Sequence, residues 1–344
     1  MTAYVTRPSI VLPPHKVTTS EIVDDIRAHH ADHARLAVIL RAVAGCGVET
    51  RYFTRPLAEV TQQSGVHERV GRAFDDAVEM AAQAAQHALD AVGMAGGDVD
   101  CLITSHTTSW AVPNLDVHLI GALGLRPTVA RIPMATLACA GGVQALVRAA
   151  QYLKAQPGGC VLVAVSEVLS AIYHRTDTTI ESMIYRALFG DSAGAVVVTD
   201  EPLGAGLAVD DGVEIVLPDS LDRYWGRLDY EGLHFDSTKK AARAAADTLP
   251  LLQEWMGGWR PSWAVIHPGG PRIINDMAAG LGIAPQGAQQ SVASLREVGN
   301  LGGVAALDVL ARTHTDPPVA GSAGMAVAVG PGFTLSGVRG HWHG

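Results

Sequence analysis

The chain has 344 residues, 48% of them apolar, a formal net charge of −9 and four cysteines. That composition excludes a disordered or solvating chain, and a negative field with no Lys/Arg block excludes electrostatic docking on nucleic acid or anionic membrane. No run reaches the ~20 apolar residues of a membrane span and the N-terminus lacks a signal-peptide pattern, so a cytoplasmic protein is expected.

Cys46, Cys101, Cys139 and Cys160 form no C-x-x-C pair and have no histidine at zinc spacing. They are expected as reduced thiols, with no metal site. Thr18 and Glu21 have the spacing of a capping box, followed by a helical pattern through Ile22 and Ile26 toward Leu40. His29, His30 and His33 lie on a polar surface there and are expected to be solvated. Val70, Phe74, Val78, Ala81, Ala85, Leu89 and Val92 recur at steps of three or four, which predicts one long amphipathic helix stopping at Gly93.

From there short β-rich runs alternate with helical ones. Leu102 to Thr104, Val129 to Ile132 and Val161 to Val165 read as strands, and Val143 to Leu153 as a helix. Cys101 and Cys160 open two of these apolar runs and are expected to be buried. Later come helical patterning from Lys239 to Trp255, a run Trp263 to Ile266, a helix Val304 to Ala311 and a strand Met325 to Val329. This is the rhythm of an α/β protein with covered sheets.

The rhythm also repeats in detail. Cys139-Ala-Gly-Gly-Val-Gln-Ala-Leu and Asn300-Leu-Gly-Gly-Val-Ala-Ala-Leu match at five of eight positions. Upstream, His106 and His267 each end a strand run, both 33 residues before the matched position. Ser192-Ala-Gly-Ala-Val-Val-Val resembles Ser322-Ala-Gly-Met-Ala-Val-Ala-Val. Matches in one order at a shared spacing point to an internal duplication, with halves at 1–205 and 206–344.

The matched positions carry chemistry. Cys139 stands between a strand-like run and a helix, where the helix N-terminus favours thiolate and should lower the thiol pKa. That setting makes it a nucleophile candidate rather than an inert buried thiol. His267, before Pro268 and two glycines, is placed at a strand mouth, where an imidazole can pair with a thiolate or donate to a substrate oxygen. Asn300 occupies the second copy of the nucleophile position and is a neutral donor suited to an oxyanion.

The segments A-C-A-G-G around Cys139, A-L-F-G-D-S-A at 187–193, I-H-P-G-G-P at 266–271, V-G-N at 298–300 and G-P-G-F at 330–333 resemble the type III polyketide synthases, in order and across essentially the whole chain. The resemblance implies a thiolase fold, five-layered αβαβα from two duplicated halves, a homodimer, and Cys139, His267 and Asn300 as catalytic residues. It implies acyl transfer from a coenzyme A thioester to Cys139. Malonyl-CoA would then be decarboxylated with His267 and Asn300 holding the developing charge, and the carbanion would attack the Cys139-bound acyl group. No cofactor is implied beyond the coenzyme A thioesters.

Further positions follow from the same resemblance. Phe189 and Phe235 look like gatekeepers between the coenzyme A tunnel and the cavity, and Arg51 and Arg55 look like basic positions that meet coenzyme A phosphates. The loop Ser109-Trp-Ala-Val-Pro-Asn114 resembles one that reaches the partner's cavity, with a cis peptide before Pro113. One departure is Gly302-Gly303, where the family usually has Ser-Ser or Ser-Ala. Three stretches, starting at Arg51, His106 and Thr136, are similar to the bacterial branch that makes 1,3,6,8-tetrahydroxynaphthalene from malonyl-CoA alone. His106, Thr107, Thr108, Tyr224 and Trp225 are then the expected cavity residues. The alternatives are a synthase primed by another acyl-CoA and releasing pyrones or resorcinols, a starter ketosynthase acting on a carrier protein, and a non-catalytic thiolase-fold partner.

Overall fold

The computed structural model describes residues 1–344. The capping box forms as expected: Glu21 N–H donates to Thr18 Oγ1 and Thr18 N–H donates to the Glu21 carboxylate at 2.7 Å, starting the helix Thr19–His29. The pattern expected to run on toward Leu40 is instead broken, and a separate helix Leu36–Ala44 follows. The polar stretch His29-His-Ala-Asp-His33 offers no apolar face to bury, so packing cannot extend the helix through it. The long amphipathic helix runs Val66–Ala91 and buries Phe74, Ala81, Ala85 and Leu89.

One sheet runs through the molecule in the strand order Trp263–Ile266, Ala323–Gly330, Thr334–His343, Gly206–Val216, Ala3–Val5, Ser192–Thr199, Cys160–Glu167, Cys101–His106, Ala130–Ala135. Its topology repeats. Cys101–His106 lies parallel to Cys160–Glu167, which lies antiparallel to Ser192–Thr199 and then Ala3–Val5. Trp263–Ile266 likewise lies parallel to Ala323–Gly330, which lies antiparallel to Thr334–His343, itself antiparallel to Gly206–Val216. Ala3–Val5 also pairs with Gly206–Val216 and joins the two half-sheets edge to edge.

By this correspondence His106 and His267 end equivalent strands, as the spacing predicts. The third sequence match does not hold. Ser192–Thr199 is the topological counterpart of Thr334–His343, not of Ala323–Gly330, and the similarity of two Gly/Ala/Val runs reflects only that both strands are buried on both faces.

The helices Gly141–Ala155 and Ala305–Thr313 pack on each other between strands of both halves. Val66–Ala91 covers Cys160–Glu167 and Ser192–Thr199 from one outer side, while Ala241–Met256 and Pro271–Leu281 cover the other half. The result is the expected helix–sheet–helix–sheet–helix layering. Val143, Leu146, Val163, Val265, Leu307 and Val338 share one apolar cluster. At ~1.5–3 kcal/mol for each such side chain, separating the halves would cost as much as the ~5–15 kcal/mol by which a whole domain is stable. The halves therefore fold as one body.

Glycine lets the two central helices meet at their N-terminal ends. A Cβ at Gly142 would stand 2.1 Å from the Gly303 carbonyl oxygen, so any side chain there would force the helix starts apart. That close approach sets Cys139 beside Asn300. No helix is long and apolar enough to cross a membrane.

Candidate active site

Cys139 leaves the strand Ala130–Ala135 through a tight turn in which Thr136 and Ala138 have φ of 63° and 46°. Left-handed values in non-glycine residues cost on the order of 1 kcal/mol each and persist only where surrounding packing imposes them. The turn runs through the short 3-10 segment Ala138–Ala140 into the helix Gly141–Ala155 and aims the sulfur into a pocket of ≈ 180 Å³. His267 and Asn300 line the same pocket.

Asn300 sits between Gly299 and the turn Gly302–Val304, in the second half's version of this junction. Gly302 N–H donates to Asn300 Oδ1 at 2.9 Å, which identifies the oxygen and leaves Nδ2 facing the Cys139 sulfur at 3.7 Å. His267 follows the strand Trp263–Ile266 by one residue and is 2% exposed. A Cβ at Gly269 would stand 2.9 Å from its Nε2, so glycine makes room for the ring. Its Nδ1 has no protein partner.

The expectation of a thiolate favoured by the helix end is corrected by burial. Burial pushes the Cys139 thiol up to about 12 and holds His267 down to about 3; for the lone sulfur, the low dielectric outweighs the helix N-terminus. A proton passed from Sγ to His267, however, leaves the pocket with no net charge, and each ion then offsets the desolvation of the other. As the expected catalytic pair lining one pocket, the two groups would hold one proton between them across neutral pH. Alkylation of Cys139 by iodoacetamide should therefore be flat from about pH 7 to 9 and fall only as acid protonates His267, below imidazole's ordinary range. In His267→Ala the rate should instead climb about tenfold per pH unit as the isolated thiol ionises. A wild-type profile that climbs the same way would contradict the shared proton.

Phe189 lines the Cys139 pocket, and Phe235 lines a neighbouring cavity of ≈ 560 Å³. Their rings meet edge to face at 6.1 Å, and Pro331 borders both spaces. His106, Thr107 and Thr108 line the larger cavity as expected, and Tyr224 lines the smaller pocket. Val112–Pro113 is cis, and Trp110 and Val112 on that loop are exposed.

Two expectations fail. Trp225 lines neither space: strand alternation turns it away from Tyr224, and it is partly exposed. Arg51 is fully buried, donating to Ala187 O at 2.6 Å, Thr19 Oγ1 at 2.7 Å and Val17 O at 3.4 Å, so its guanidinium is not open to a phosphate. It pins the strand Thr50–Phe53 to the helix Ile180–Leu188. Arg51→Ala should lower unfolding free energy by about 3 kcal/mol, through carbonyls left unpaired, and should show in denaturant melts. Melts that match wild type would leave the pin without a role. Arg55 pairs with Asp76 at 3.0 Å and lines a separate polar cleft with Arg69 and Arg72, away from Cys139.

His29, His30 and His33 engage Asp25, Arg186 and Thr178 respectively rather than one another. His174, Glu231 and His234 do bring donor atoms within 4.8 Å. Three of their four ring nitrogens are occupied, though: His234 meets Asp177 and Asp229 at 3.0 Å each, and His174 Nε2 meets Leu233 O at 2.8 Å. That cluster ties the hairpin Tyr224–Leu228 and Leu233–Ser237 to the loop before the helix Ile180–Leu188.

Sequence reasoning missed Tyr185, Phe333 and Glu167. Tyr185 and Phe333 line the Cys139 pocket. Glu167 ends a wholly buried strand, and its Oε1 accepts from Thr107 Oγ1 at 2.9 Å. Burial pushes its carboxyl up to about 8, so at neutral pH it is mostly protonated. A lone Glu closing the apolar run Cys160 to Ser166 was the available signal. At the Gly302-Gly303 departure the space is tight: Cβ atoms there would stand 3.0 Å from Glu167 Cγ and 3.0 Å from the Ala138 carbonyl oxygen respectively.

The chain matches the family model "Chalcone and stilbene synthases, N-terminal domain" over residues 16–202. It is 31% identical to 1,3,6,8-tetrahydroxynaphthalene synthase of Streptomyces coelicolor over 99% of this chain and 92% of that protein. It is 29% identical to phloroglucinol synthase of Pseudomonas fluorescens over 97% and 98%. The crystal structure of the S. coelicolor tetrahydroxynaphthalene synthase superposes with a TM-score of 0.95 at 30% identity, covering 99% of both chains. Germicidin synthase from the same organism gives 0.92 at 31%, covering 99% and 100%. With that fold and that pocket, the chain belongs to the chalcone and stilbene synthase family. It is a type III polyketide synthase, an acyltransferase that condenses malonyl-CoA.

Proposed function

We propose that this synthase makes 1,3,6,8-tetrahydroxynaphthalene from malonyl-CoA alone, with Cys139 as acyl carrier and His267 and Asn300 as the oxyanion donors. The observation that supports it is the placement of all three residues around one small pocket that meets a larger, partly polar cavity at Phe189, Phe235 and Pro331. Cys139 Sγ attacks the thioester carbonyl, His267 takes its proton, and coenzyme A leaves with a proton. A second malonyl-CoA then loses CO₂ while Asn300 Nδ2 and His267 hold its thioester oxygen as the enolate forms. The enolate carbon attacks the Cys139 thioester, one C–C bond forms and the sulfur is released. Each round consumes one malonyl-CoA, and no redox step or further cofactor enters.

Phe189 and Phe235 divide the condensation pocket from the space where the chain folds. His106, Thr107 and Thr108 supply polar partners for a chain that carries oxygen at alternate carbons, which a long aliphatic starter would not need. Exposed Trp110 and Val112 fit coverage by a second copy, so the working form is a homodimer acting in the cytoplasm, with halves divided at 205/206. Incubation with malonyl-CoA alone tests the reading: the product should be a naphthol that browns in air to a naphthoquinone. Activity that waits for a fatty or aromatic acyl-CoA and releases pyrones or resorcinols would refute the product, as would the mass of phloroglucinol. A monomer in solution would refute the assembly.

A further inference from the structure

On the wall of the larger cavity, three side chains form a directed hydrogen-bond chain. Leu115 N–H donates to Asn114 Oδ1 at 2.8 Å, which fixes that atom as the amide oxygen. His106 Nε2 lies 2.5 Å from the same oxygen, so Nε2 carries the proton and donates it. Nδ1 is then the lone-pair nitrogen, and Ser109 Oγ, 2.9 Å away, donates to it. The backbone N–H of a helix start thus sets the tautomer of His106 and the direction of the Ser109 hydroxyl.

All three residues line the cavity, and His106 and Ser109 are buried, at 3% and 4% exposure. A hydroxyl bound to an imidazole that a third group orients is the arrangement used to move a proton in and out of a reacting centre. Burial lowers the His106 pKa, and the Asn114 hydrogen bond opposes this in part, so the ring is neutral at physiological pH and its Nδ1 lone pair is open to a proton. The other charged groups nearby have partners or stay neutral in the acid range: Arg227 on the same cavity wall donates to Asp229 at 2.6 Å and Asp236 at 2.9 Å, and Glu167, its carboxyl pushed up to about 8, is protonated there. Asp116 pairs with Arg131 at 3.1 Å, Glu167 holds Thr107, and His118 lies beyond the Phe74 ring.

We propose that Ser109, His106 and Asn114 form an acid–base relay that moves the proton of ring closure on the polyketide chain. This rests on the polyketide-forming reading above. Ser109 Oγ removes a proton from a chain methylene flanked by two carbonyls as its own proton passes to His106 Nδ1, leaving an enolate and an imidazolium that still donates to Asn114. The enolate carbon attacks a carbonyl carbon farther along the same chain, and one C–C bond forms. The new alkoxide takes the proton back through Ser109, so the relay ends as it began, with no proton or electron consumed.

The test gives wild type, His106→Gln, Ser109→Ala and the double variant malonyl-CoA alone and measures CO₂ and ring-closed aromatic product together. The relay predicts that aromatic product per CO₂ falls about 10²-fold in each single variant and no further in the double, with lactonised or hydrolysed chains making up the balance. In wild type the ratio should also fall as acid protonates His106, below imidazole's ordinary 6.5, and in His106→Gln it should be flat. A ratio unchanged in either single variant, a pH dependence that survives in His106→Gln, or an acyl mass on the Ser109 peptide overturns the relay. Absence of CO₂ release by wild type instead overturns the reading on which it rests.

Discussion

Cys139→Ala should reduce polyketide formation by ~10⁴-fold or more, because the proposed acyl carrier is the one thiol lining its pocket. The fold should survive. The substitution removes one atom beside a pocket already present, and Ala is a good helix former at a helix approach, so melting should shift by no more than a few degrees. Malonyl-CoA decarboxylation should outlast the loss of condensation, since Asn300 and His267 stay in place and the enolate can still form. The variant should therefore turn malonyl-CoA into acetyl-CoA without making aromatic product. Polyketide formation close to wild type would remove Cys139 from the mechanism, and loss of both activities in a folded variant would mean that decarboxylation depends on the thiol.

Removing the donors should have the second-largest effect and should separate the two half-reactions differently. His267→Ala and Asn300→Ala should each slow decarboxylation by ~10²–10³-fold, the usual worth of one preorganised oxyanion donor. They differ in what happens to the sulfur. In the proposed mechanism His267 also receives the Cys139 proton, so its loss should slow acyl transfer at neutral pH as well. Asn300 is held by Gly302 N–H with Nδ2 toward the pocket, so its loss should leave acyl loading of Cys139 nearly intact and stall the chain at the starter. Single-turnover loading and CO₂ release in the two variants read these separately. Equal loss of loading in both would contradict the division of roles.

The site was legible where chemistry and backbone coincide. Cys139 before two glycines, His267 before Pro-Gly-Gly and Asn300 in a glycine-flanked turn announce themselves because a reactive side chain at a strand–helix junction needs small neighbours, and the glycine contacts at 142 and 269 show why. The alternation of strands and helices gave the layers, since a sheet buried on both faces leaves long apolar runs. Arg51 misled because a basic residue near a family motif looks the same in sequence whether it meets a phosphate or three backbone acceptors. Trp225 misled by one residue of strand alternation. The Ser192/Ser322 match misled because buried strands share composition wherever they sit. Tyr185 stayed hidden because nothing local marks a side chain whose importance comes from residues over a hundred positions away, as with Tyr185 and Asn300 around one pocket, whereas Glu167 had one local sign, a lone Glu closing an apolar strand.

The most direct test of the account is the mass of the protein's cysteine peptides after brief mixing with malonyl-CoA and quenching in acid. The peptide containing Cys139 should carry an added acyl mass that grows with time by the units of chain extension. The peptides of Cys46, Cys101 and Cys160, all buried outside the pocket, should carry none. Aromatic product formed with Cys139 unmodified throughout, or an acyl mass on one of the other three cysteines instead, would contradict it.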